Sequence, residues 1–136
     1  MASYRSAILK VLLTEGGYAN DPDDAGGETY KGIARNFWPK WSGWAIIDDA
    51  KKEAGFEHAL NRNMQLNDAV IAFYKVNFWD KVGGDFIASQ TIANNLVDSA
   101  VNEGIKPAIK RAQGIVLLAQ TGIITPELVT KLNSLV

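Results

Sequence analysis

The chain has 136 residues, of which 47% are hydrophobic and 21% charged. That length suits one domain, and the composition is that of a folded protein rather than a disordered one. Fourteen Lys and Arg against fifteen Asp and Glu leave a net charge of −1, without the basic excess that draws a protein to nucleic acid. No cysteine is present, so disulfides, thiol catalysis and thiolate metal sites are excluded.

Tyr4, Ala7, Ile8, Val11 and Leu12 recur at helical spacing, which predicts a first helix ending near Glu15. The segment holds Arg5 and Lys10 but no apolar core of signal-peptide length. The expectation is a chain made in the cytoplasm that reaches the cell wall or periplasm only after release or by non-classical export. Gly16 and Gly17 follow, and a left-handed glycine at one of them is the expected stop. From Tyr18 to Glu28 the composition turns to Asn, Asp, Pro and Gly, which marks a turn-rich loop. Thr29 to Phe37 suits a short helix, while a small hairpin also fits inside residues 18–35. Phe37, Trp38, Trp41 and Trp44 then form an aromatic segment around Pro39, read chiefly as core, with Trp44 the one expected to meet a ligand. A helix is expected from Ile46 to Ala54, ended by Gly55.

Further helices follow on clear apolar faces. Leu66, Val70, Phe73, Tyr74 and Phe78 define one; Ile92, Leu96, Ala100 and Val101 define the next, stopped at Gly104. Pro107 sits early in another that runs through Ile109, Ala112, Val116 and Leu117. Thr125-Pro126-Glu127 combines a capping hydroxyl, a first-turn proline and an early acid, and so opens the last helix. The uncharged run from Ala112 to Pro126 is too short and too polar to span a bilayer. The fold class is mainly α.

Glu15 is the residue best placed for chemistry. At the C-terminal end of a helix the dipole disfavours a negative charge, which favours the protonated acid that a general acid requires. The following loop brings Asp21, Asp23, Asp24 and Glu28, any of which could supply the second carboxylate that glycoside cleavage uses. Asp21, Asp23 and Gly26 match three positions of a calcium loop, but Ala25 and Gly32 stand where two ligands belong. No metal and no cofactor are expected. His58 is the single histidine and has no partner at metal or triad spacing, so it reads as a surface residue.

Glu15-Gly16-Gly17-Tyr18, then Asn20-Asp21-Pro22-x-Asp24, then Gly26-Gly27-Glu28-Thr29-x-x-Gly32-Ile33 resembles the signature of the family 108 glycoside hydrolases. Phe73-Tyr74 with Phe78-Trp79-Asp80, Ile92-Ala93-Asn94, and Asp98-x-Ala100-Val101-Asn102-x-Gly104 extend the resemblance through the middle. Ala108-Ile109, Gln113, Gly122-Ile123-Ile124 and Thr125-Pro126 are similar to the peptidoglycan-binding segment that follows in that family. The resemblance implies a lysozyme-like helical domain with a small β-hairpin near residues 18–35. It implies a muramidase-like part over about 1–88 and a wall-binding part over about 89–136 of a single domain.

It also implies an N-acetylmuramidase, with peptidoglycan strands as partner and Glu15 as the catalytic acid. Phage-type lysozymes more distantly place an Asp nine residues after the Glu and a Thr six after that. Asp24 meets the first offset and Thr29 falls one short of the second; both join the catalytic candidates. Tyr18, Tyr30 and Trp44 are the aromatic candidates for substrate binding, and Asn94, Asp98 and Asn102 are a polar line at four-residue spacing on one helix face. Family members often read Thr-Asn-x-Gly where this chain has Thr29-Tyr30-Lys31-Gly32. That departure supports the alternative expectation, a cell-wall-binding or secretion-assisting protein without efficient cleavage.

Overall fold

The computed structural model describes residues 1–135 and places them in two compact units. One is Leu12–Phe73; the other is formed by Met1–Val11 together with Tyr74–Val136. The fold is mainly helical, with one small antiparallel sheet.

Helix α1 (Tyr4–Thr14) opens the chain and buries Ala7, Ile8 and Val11, the face its spacing predicts. Glu15, Gly16 and Gly17 leave the helix directly for strand β1 (Tyr18–Asn20). Neither glycine has φ in the left-handed region, so the expected left-handed stop is not how this helix ends. An exit into extended chain needs no reversal of φ. The left-handed glycines lie elsewhere, among them Gly32 (φ 82°) and Gly55 (φ 73°).

Strand β2 (Glu28–Tyr30) pairs with β1 in the register Tyr18 to Tyr30, Ala19 to Thr29 and Asn20 to Glu28. Strand β3 (Ile33–Ala34) returns beside β2, with Tyr30 opposite Ile33 and Thr29 opposite Ala34. The two residues between them, Lys31 (φ 50°) and Gly32 (φ 82°), are both left-handed. That is the tight turn whose twist matches a pair of antiparallel strands. The short helix expected over Thr29–Phe37 is therefore absent; the segment is strand, tight turn, strand. Tyr30 and Ile33 are 1% and 0% exposed, and burying this cross-strand pair across a left-handed turn at Lys31 and Gly32 outweighs the helical spacing of Tyr30, Ile33, Ala34 and Phe37.

Helix α2 (Gly43–Ala50) begins earlier than its apolar residues suggest, taking in Trp44, and buries Trp44 and Ile47. Gly55 precedes the short helix α3 (Phe56–Ala59) rather than closing α2. Helix α4 (Met64–Tyr74) carries Leu66, Val70 and Phe73 inward and runs into a π-helical turn at Lys75–Trp79.

The second unit is built on helices α5 (Gln90–Glu103), α6 (Ile105–Ile115) and α7 (Pro126–Asn133). Helix α5 packs on α6, and α6 on α7. Their caps follow the sequence: Ser89 Oγ accepts from Ile92 N, Thr125 Oγ1 accepts from Leu128 N, and Pro126 fills the first turn of α7. Helix α6 ends at Ile115 rather than Leu117, which is left-handed at φ 63°. Gln113 is the buried polar side chain of this core, 2% exposed. Its amide donates to Thr121 Oγ1 (2.9 Å) and Ile123 O (3.1 Å) and accepts from Gly122 N (2.9 Å), pinning the loop before α7.

Trp79 is fully buried with its indole N–H on Asp85 Oδ1 at 2.8 Å and Tyr4 tilted against its ring at 5.4 Å. No helix among the described residues is long and apolar enough to cross a membrane.

Candidate active site

Glu15, Asp24 and Thr29 belong to the Leu12–Phe73 unit. Glu15 is half-buried and stands immediately past the last residue of α1. Gly16 and Gly17 beside it are exposed, and a Cβ at either would meet nothing within 4 Å. The two glycines therefore leave open space along the chain just after Glu15.

Asp24 lies in the β1–β2 loop and is exposed. Its Oδ1 accepts from Gly26 N at 2.9 Å, while Gly27 N donates to its carbonyl at 3.0 Å. Asp21 does the same one step earlier, accepting from Asp23 N at 2.9 Å. These carboxylates fold back on their own backbone, which is how Asp shapes a turn. Thr29 occupies the middle of β2, half-buried, with Ala19 on one side and Ala34 on the other. Alternation along a strand puts its side chain on the face opposite Glu28 and Tyr30.

The aromatic candidates divide by burial. Tyr18 is half-buried, its ring edge-on to Phe56 at 5.1 Å and its hydroxyl donating to Glu28 Oε2 at 2.6 Å. Tyr30 is 1% exposed and reaches Asn61 Oδ1 at 3.4 Å; burial raises its phenol pKa above the ordinary value. Trp44 is 2% exposed, donates from Nε1 to Trp38 O at 3.0 Å, and stands edge-on to Trp41 at 5.3 Å. Tyr30 and Trp44 thus present no open ring face to a ligand. Their place is the core. The exposed rings are Phe37 at 67% and Trp38 at 38%, so the expected order within the aromatic segment is reversed.

Asn94, Asp98 and Asn102 lie on α5 in the other unit. Asn94 is half-buried and accepts from Gln90 Nε2 at 2.8 Å; Asp98 and Asn102 are exposed. The line is a solvated helix face rather than a buried polar stripe.

The sequence reading missed a charge cluster centred on Glu28. Its Oε1 accepts from Arg35 Nη1 at 2.9 Å, and its Oε2 takes the Tyr18 hydroxyl and pairs with Lys51. Arg35 also grips Asp48 with two bonds of 2.7 Å. Burial works to raise the Glu28 pKa, but the hydrogen bonds from Lys51, Tyr18 and Arg35 outweigh it and hold the carboxyl below its ordinary range. Glu28 is therefore kept as a carboxylate and is no candidate proton donor. Asp48 is pulled down to about 2, chiefly by Arg35. The one signal in the sequence was Asp48 and Lys51 at three-residue spacing.

Comparison with known proteins gives these positions a context. No curated protein matches the chain. Among solved structures, that of Brucella abortus SagA superposes with a TM-score of 0.63 and 24% sequence identity, over 96% of this chain and 68% of that one. This likeness establishes a shared fold. The family model of glycosyl hydrolase 108 matches residues 8–104, a stretch that runs from within α1 through Glu15, the sheet and α4 to the end of α5. The chain belongs to glycosyl hydrolase family 108, and is a glycoside hydrolase by that membership.

Proposed function

We propose that this protein is an N-acetylmuramidase that cuts the β-1,4 bond between N-acetylmuramic acid and N-acetylglucosamine in peptidoglycan, with Glu15 as general acid. The observation that supports it most is the position of Glu15 within the matched family segment. The residue is half-buried at the C-terminal end of α1, with two unobstructed glycines beside it. In this reading Glu15 gives its proton to the glycosidic oxygen as the bond to the anomeric carbon breaks. The leaving sugar departs as an alcohol, and the positive charge that develops on the remaining ring is met by a carboxylate or by water. Asp24 is the proposed second carboxylate, either steadying that charge or orienting the water. The site of action is the cell wall.

The test is Glu15→Gln, which keeps the size of the side chain and removes the acidic proton. Clearance of a suspension of purified cell walls should fall by about 10²–10⁴-fold. The thermal midpoint should hold or rise, because a functional carboxyl is commonly retained at some expense of stability. Normal clearance by a folded Glu15→Gln protein overturns the assignment. The Tyr30 departure from the family pattern keeps a second reading in view, a wall-binding protein without efficient cleavage. Wild-type protein that sediments with walls yet never clears them would favour it.

A further inference from the structure

We propose that Phe37, mounted against the Asp24 turn, is a sugar-stacking platform that takes an N-acetylglucosamine residue of the glycan strand. The proposal rests on the glycan-cleaving reading above and adds a binding position to it. Phe37 is 67% exposed and its neighbour Trp38 is 38% exposed, so two adjacent rings face solvent where most large apolar side chains of this unit are inside.

The mount is rigid and specific. Asn36 N donates to Gly26 O at 3.0 Å, and Asn36 Nδ2 donates to Ala25 O at 3.1 Å. Phe37 N donates to Ala34 O at 3.2 Å. The segment carrying the ring is thus tied both to the acidic turn and to β3. The position of a Cβ on Gly26 would lie 3.5 Å from Asp24 Oδ1 and 3.6 Å from Phe37 Cε2. Carboxylate and ring edge therefore flank one point, separated by less than the breadth of a sugar ring and its substituents. Gly26 is required there, since its Cβ would also stand 2.8 Å from Ala34 Cβ. Trp38 is held in turn by an edge-on contact with Phe73 at 4.8 Å.

A flat apolar ring beside hydrogen-bond acceptors complements a pyranose, whose axial C–H groups make one face apolar while its hydroxyls and acetamide line the edge. Position chooses between the two sugars of peptidoglycan. In the cleavage reading Asp24 meets the muramic ring at the scissile bond, so the ring stacked on Phe37 beside it is the next sugar of the alternating strand. The neutral N-acetylglucosamine ring is the occupant.

The experiment uses the full chain and a soluble β-1,4-linked N-acetylglucosamine oligomer, followed by tryptophan fluorescence with Trp38 as the nearby reporter, beside sedimentation with purified peptidoglycan. Phe37→Ala should weaken oligomer binding by about tenfold, and Phe37→Tyr should restore it. In wall cleavage Phe37→Ala should raise KM with kcat nearly unchanged, the mark of binding lost equally from ground and transition states. Oligomer binding unaltered by Phe37→Ala in a folded protein overturns the proposal, as does failure of the wild type to bind the oligomer. Self-association that disappears in Phe37→Ala while oligomer binding persists overturns it in favour of a second copy on the patch. Repeating the titration in the Glu15→Gln background separates the two readings. Phe37-dependent binding there sustains the platform even if Glu15 proves not to be the acid, and wall clearance with no Phe37 dependence sinks the platform alone.

Discussion

Glycines 16 and 17 serve no packing need: nothing crowds them, and neither has the left-handed backbone that only glycine adopts cheaply. A glycine that the fold does not require still widens the space beside its neighbour, here Glu15. Gly16→Ala and Gly17→Ala are therefore expected to leave the thermal midpoint unchanged or to stabilise the chain by ~0.4–1 kcal/mol through the unfolded state. If the open space admits substrate, at least one of them should slow wall clearance despite that stability. A drop in midpoint would show that the glycines serve the fold, and full activity in both would show that the space is not used. The aromatic residues teach the converse. The sequence singles out Trp44 to meet a ligand and reads Phe37 as core, but Trp44 is 2% exposed and Phe37 67%. Burial of a ring depends on which face of α2 or of the preceding turn points inward, and periodicity is silent in a segment broken by Pro39.

Among the elements, the sheet of residues 18–34 is held at its outer end by the charge cluster rather than by strand length. Glu28 is only 12% exposed at its side chain, and Arg35 and Lys51 both pair with it. Its pKa lies below the ordinary 4.5, and that of Asp48 falls from 3.8 to about 2. Carboxyls with lowered pKa stabilise the fold at pH values above their unfolded pKa, and the contribution fades as pH drops through the folded value. Wild type should thus lose stability progressively below pH 4.5. Glu28→Gln should be less stable at pH 7 by ~1.5–3 kcal/mol, the worth of hydrogen bonds to a charged group. The gap should narrow on acidification, as wild type loses the same charge. Denaturant titrations of both proteins at pH 7 and stepwise down to pH 2 decide it; a gap that does not shrink anywhere in that range would mean that shape, not charge, is what Glu28 contributes.

The long helices α4 to α7 could be read from their 3.6-residue spacing and caps. The small hairpin expected within residues 18–35 is present as β1 to β3, but strands of two and three residues carry too little alternation to give their bounds, and contacts between distant residues such as Glu28 with Lys51 leave no mark in the local pattern. The expected left-handed stop at Gly16 or Gly17 failed for a related reason. The path out of a helix is set by where the chain must go next, and here it goes straight into β1.

On the scale of the whole molecule, the catalytic candidates and the polar line of α5 sit in different units of the chain. Glu15, Asp24 and Thr29 lie within Leu12–Phe73, and Asn94, Asp98 and Asn102 lie in the other unit. The family match spans both. What the molecule offers as a whole is a nearly balanced charge of −1, and that bears on how it meets its proposed substrate. Peptidoglycan carries carboxylates on its stem peptides. A basic protein would be drawn to it from a distance, with an association that falls steeply as salt is added. This chain has no such net attraction, and the exposed Asp21, Asp23 and Asp24 near its stacking rings work against one locally. Recognition should instead come from short-range contact, through ring stacking and hydrogen bonds that a Debye length of about 8–10 Å hardly touches. Raising the salt from about 50 mM to about 200 mM should therefore change wall clearance by less than ~3-fold. If anything the rate should rise, as repulsion between the acidic turn and the wall is screened. A clearance rate that collapses over that range would instead locate binding on a basic patch, and would remove the acidic turn and its aromatic neighbours from the centre of substrate recognition.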